Sequence, residues 1–124
     1  MKRKIIAALV IVMALAVLAS ADTFTLLSAK SAEGAGAAVK LAKPLSSWTC
    51  SVSYTGAEPT AVVVALSGSV NGSAYGDLYE HTVTDWATGA FFSVWGKPVN
   101  YVRGNLKTLT TSGVTAITMS CVGD

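Results

Sequence analysis

His81 is the chain's single histidine, and three acids, Asp77, Glu80 and Asp85, stand within four residues of it. A zinc site needs further ligands in tetrahedral array, and a general-base histidine needs a nucleophile within hydrogen-bond reach. The two cysteines, Cys50 and Cys121, are remote in sequence from this cluster. No serine or threonine sits in a nucleophile elbow. The acids form no Asp-x-Asp-x-Asp loop of the calcium-binding kind. His81 therefore reads as a histidine on a strand surface. The expectation is a protein with no catalytic residue, no metal ligand, no cofactor and no enzymatic activity. The aromatic residues Tyr75, Tyr79, Trp86, Trp95 and Tyr101 fall at strand ends or in connections. There they either cap a small core or offer surfaces that stack on sugars or fill a partner's groove.

The elements that must carry these residues are strands. Ser47 to Thr55 alternates Trp48, Cys50, Val52 and Tyr54 with serine and threonine. A period of two with one apolar and one hydroxylated face is a half-buried strand. Cys121 has the same apolar parity in the run Ile117, Met119, Cys121. Two cysteines on core faces of an exported β-protein predict a Cys50–Cys121 disulfide.

Export is read from the first 21 residues. Lys2, Arg3 and Lys4 precede an apolar run of 15 residues, Ile5 to Ala19, and Ala19-Ser20-Ala21 is a small-x-small cleavage site. This is the order of a secretory signal peptide cut between Ala21 and Asp22. The apolar run is shorter than the ~20 residues of a spanning helix, so membrane contact is expected only through the leader. Of nine Lys and Arg, three belong to the leader, leaving six against seven acids. No basic patch remains to bind nucleic acid by counterion release.

Beyond the leader, Asp22 to Ala29 is strand-like, with Phe24, Leu26 and Leu27 apolar. It is either the first strand of the domain or an arm given to a neighbour. Lys30 to Ala38 is Gly/Ala-rich and predicts a linker or wide turn. Val39 to Leu41 is a candidate short edge strand ended by Pro44. Val62 to Leu66 is β-branched and continuous, as a central strand covered on both faces would be. Asn71-Gly72 marks a tight turn. Strands are further expected over 78–84, 90–95, 99–106 and 114–122. The whole predicts an all-β fold, a small antiparallel β-sandwich of six to seven strands. The expected division is 1–21 signal peptide, 22–44 arm and linker, 45–124 sandwich.

Two families are resembled. Ser-Gly-Ser-Val-Asn-Gly-Ser-Ala-Tyr from Ser67, with Lys-Pro-Val-Asn-Tyr-Val-Arg-Gly-Asn-Leu from Lys97, resembles small β-sandwich modules of phage virions. Those modules often carry a Gly-Ser-x-Asp-Gly-x-x-Trp turn and a Pro-x-x-Tyr-x-Arg strand. Asn71 stands here for the acid and Tyr75 for the tryptophan. The whole chain, with its leader, β-rich body and C-terminal cysteine, is also similar to geopilin second-domain proteins, the detached globular halves of type IV-like pilins. That resemblance implies a structural subunit that associates with a short helical pilin, or with copies of itself, in a periplasmic or extracellular filament. Docking would begin at Phe24, Leu26 and Leu27. A secreted adhesin or carbohydrate-binding module using Trp86 and Trp95, and a phage-like decoration domain, are the alternatives.

Overall fold

The computed structural model describes residues 22–124. The expected leader, including Ala21, lies outside the described residues, and Asp22 opens the first strand. Nine strands follow: β1 (Asp22–Lys30), β2 (Gly34–Ala35), β3 (Val39–Leu45), β4 (Trp48–Gly56), β5 (Ala61–Ser69), β6 (Gly76–Thr82), β7 (Phe92–Val94), β8 (Val99–Thr110) and β9 (Thr115–Gly123). They form two antiparallel sheets. The first has the order β1-β9-β4-β7; the second has β2-β8-β5-β6, with β3 also paired to β8.

The alternation in β4 does what its pattern dictates. Trp48, Cys50 and Val52 are buried, while Thr49, Ser53 and Thr55 are exposed. On β9 the matching face supplies Ile117, Met119 and Cys121, all buried. Cys50 and Cys121 are direct register partners, with Cα atoms 4.0 Å apart, and they are disulfide-bonded. The bridge thus ties neighbouring strands of one sheet. Closing a loop with a sequence separation of 71 stabilises the fold by roughly 4 kcal/mol in the chain-entropy model.

The sandwich begins earlier than the division at residue 44. β1 pairs with β9 from Asp22↔Gly123 to Lys30↔Ile117, with register shifts after Thr25 and after Leu27. A bulge lets consecutive residues turn the same way. Leu26 and Leu27 are consequently both in the core, at 2% and 0% exposure. They hold the two sheets together and are not available as a docking surface on this folded chain. Phe24 is half-buried, its ring centroid 5.8 Å from that of Trp48. The Gly/Ala stretch is likewise structured in part, because Gly34 and Ala35 pair with Leu106 and Asn105. Small side chains here serve close approach: Gly36 N donates to Gly104 O at 2.8 Å. Gly104 itself faces Leu27 and Met119, and a Cβ there would lie 2.8 Å from Leu27 Cγ. β3 also runs through Pro44 to Leu45, in place of ending before it. As an edge strand with irregular pairing between Lys40 and Leu45, it tolerates the missing N–H. β2, which falls in the expected linker, and the full pairing of β1 and β3 bring the count among the described residues to nine.

β5 is the central strand of the second sheet, between β8 and β6. Val64 and Leu66 enter the core, and Ala65, Ser67 and Ser69, on the opposite parity, are buried too. Their small size leaves room for long side chains of β6 and β8 to close over them. The far side of the sandwich, between β6 and β7, is closed by aromatic stacking. The Phe92 ring lies 5.3 Å from Tyr79 and 5.0 Å from His81, centroid to centroid.

Candidate functional site

The turn at Asn71-Gly72 and the first part of β8, residues 99–103, come together as one unit on the second sheet. The turn is built by side-chain oxygens that replace water for backbone donors, as short hydroxyl and amide side chains do. Ser69 Oγ accepts from Gly72 N at 2.9 Å. Asn71 Oδ1 accepts from Ser73 N and Ala74 N at 2.8 and 3.0 Å. Gly72 has φ +81°, and a Cβ there would meet the Tyr101 ring at 2.9 Å, so both its backbone and its bare face are required. β8 then clasps the turn. Asn100 Nδ2 donates to Val70 O at 3.0 Å, and the Arg103 guanidinium lies 4.1 Å from the centroid of the Tyr75 ring.

Next to this unit is a charged cluster. Asp77 accepts from Ser67 Oγ at 2.8 Å and from Lys107 Nζ, and Lys107 also reaches Glu80 at 3.3 Å. The Lys107 hydrogen bond is the main reason the Asp77 carboxyl titrates below its ordinary value, and that bond in turn holds Lys107 above its own. These pairs are part-exposed, so they contribute modestly to stability.

The acids and His81 do not share a site. Asp77 and Glu80 pair opposite Ser67 and Ala65, on the outer face of the second sheet. His81 pairs opposite Val64, on the core side, against Phe92. Burial pushes its pKa down. Asp85 caps its own loop by accepting from Ala87 N at 2.9 Å. Among the described residues no group of three or more His, Cys, Asp or Glu is placed to hold a metal ion.

The aromatic candidates separate. Trp86 is half-buried, edge-on to Tyr54 with centroids 4.9 Å apart. Trp95 stands 73% exposed, and Phe91 63%. They flank β7, whose Phe92 and Val94 are buried and whose Ser93 is exposed. Trp95, Thr49, Ser93 and Val122 line a groove of about 520 Å³ ending at Asp124. A second hollow of about 240 Å³ joins Ser51 and Ser53 to Trp86.

The outer face of the first sheet is a grid of hydroxyls. Register aligns Thr25, Ser120 and Ser51 in one row, and Thr118 with Ser53 in the next. A third row is Thr23, Val122, Thr49 and Ser93, in which the last two hydroxyls are 3.0 Å apart. These rows contain no charged side chain.

No family model matches this sequence, and no curated protein matches it. The fold does have solved counterparts. The SPBc2 prophage-derived protein YomS is similar over 85% of this chain and 94% of its own, with a TM-score of 0.53 at 11% identity. A chain of the acidic stable capsid structure of Helicobacter pylori bacteriophage KHP30 covers 83% and 94%, with a TM-score of 0.46 and 11% identity. PirA covers 84% and 93%, with a TM-score of 0.39 and 7% identity. The likeness to YomS is one of fold.

Sequence reading found the turn and the strand separately but not their contact. Tyr75 over Arg103 joins positions that no local period links. The hydroxyl grid does leave a signal in the sequence. The polar parity of Ser47–Thr55 recurs in Thr118 and Ser120 and in Thr23 and Thr25, and only strand pairing turns those runs into one surface.

Proposed function

We propose that this chain is a non-enzymatic structural subunit, a small decoration-type β-sandwich that seats on a larger particle of phage type. The carrying observation is the turn–strand unit, in which Asn100, Tyr101 and Arg103 of β8 clasp residues 70–75. This unit is the part of the sequence that resembles virion modules. A fold shared with a prophage-derived protein supports the reading. So does the engagement of the acid and histidine candidates: Asp77 and Glu80 in ion pairs with Lys107, Asp85 in a loop cap and His81 in an aromatic stack.

A second reading is favoured by the leader-like residues 1–21. In it the same body is exported, is oxidised outside the cytoplasm, and joins a filament with a short helical pilin. Immunogold electron microscopy of native material separates the two. The proposal expects label on phage-like particles; label on filaments favours the second reading, and label on neither rejects an assembly role.

A further inference from the structure

We propose that the outer face of the first sheet, along β7 and β4, is a binding site for a neutral polysaccharide. The inference goes beyond the assembly role and does not rest on it. Three features converge on one edge. Phe91 and Trp95, the residues flanking β7, are both exposed, and Trp95 lines a groove with Ser93 and Thr49. Immediately inward lie the hydroxyl rows, with Thr49 and Ser93 already paired at 3.0 Å. The groove places Trp95 beside Thr49 and Ser93, while Trp86 packs on the core through Tyr54 and is not part of the strip.

Sugars match that pattern. Their C–H faces pack on aromatic rings that carry apolar area on a rigid frame. Their hydroxyls exchange hydrogen bonds with groups that both donate and accept, as serine and threonine do. Charge narrows the class. The rows are uncharged, and the charged residue lining the Trp95 groove is Asp124, a carboxylate. An anionic polymer would meet repulsion there with no cation among the groove's lining residues to offset it.

The test is affinity electrophoresis of the 22–124 protein in gels containing soluble β-glucan, xylan or galactomannan, with sedimentation on cellulose and chitin, and alginate as the anionic comparison. Retention by at least one neutral polymer, persisting in high salt, is expected. Trp95→Ala should weaken it at least tenfold, and Thr49→Val with Ser93→Ala several-fold. Val114→Ala, which removes an 87%-exposed side chain beside the Gly56↔Thr115 end of the sheet, should leave it unchanged. Near-ultraviolet circular dichroism checks that each variant is folded. No retention by any neutral polymer overturns the proposal. So does retention indifferent to Trp95→Ala, salt-sensitive retention by alginate alone, or Trp95-dependent self-association without retention.

Discussion

Arg103 lies over the Tyr75 ring, guanidinium carbon 4.1 Å from the centroid, and this contact fastens the loop after β5 to the middle of β8. A cation over a tyrosine face contributes about 0.5–2 kcal/mol, depending on how dry it is. Arg103→Met keeps the aliphatic stem and removes the charge; Tyr75→Leu keeps bulk and removes the ring. In urea unfolding each should cost about 1 kcal/mol, and the double variant should cost less than the sum. Strict additivity would mean that the two residues do not hold the loop together.

Trp48 and Thr49 are neighbours on opposite faces of β4, one buried and one exposed. Trp48→Ala should cost ~3–5 kcal/mol, as large aromatic truncations in cores do, and Thr49→Ala under ~1 kcal/mol. The Trp48 indole N–H has no hydrogen-bond partner among the described residues. Trp48→Phe should therefore recover much of the loss, because it fills most of the space and removes a buried unpaired donor. Equal losses for the two alanine variants would contradict the facing of the strand.

Deleting Asp22–Lys30 should prevent folding. The deletion takes Leu26 and Leu27 from the core and leaves the β9 edge unpaired. Loss of the near-ultraviolet signal is the expected result. A cooperatively folded remainder would mean that β1 is an accessory arm after all.

Acid should weaken the fold in two stages with separate owners. Burial lowers the His81 pKa, so the unfolded chain takes up the proton first. The stability tied to neutral His81 is complete above about pH 6.5 and falls as pH drops below it. His81→Phe should flatten the melting temperature between pH 5 and 7. Asp77 is also lowered, chiefly by Lys107. Its contribution is present above about pH 4 and is lost as pH falls toward its folded value. Lys107→Met should flatten that lower limb while leaving the His81 limb in place.

The sandwich was legible where local alternation carries the information. Trp48, Cys50 and Val52 announced the inward face of β4, and the parity of Cys121 announced its partner. β1 to β3 were less legible because their signals are long-range. Leu26-Leu27 breaks the alternation, and only the bulge against β9 explains it. Gly36 looks like a linker residue until Gly104 is seen beside it. The exposed pair Phe91 and Trp95 was half visible. Trp95 stood out by type, but its place beside Thr49 and Ser93 depends on the pairing of β7 with β4.

The central claim is that the folded body serves as a subunit of a larger particle. The most direct measurement is quantitative mass spectrometry across a density gradient of native particles, with the N-terminal peptide read at the same time. The account predicts the chain banding with a phage-like particle in fixed ratio to its major protein; a chain that begins at Asp22 and bands with filaments favours the second reading. A chain found only as free soluble protein, in no fixed ratio to any particle component, would contradict it.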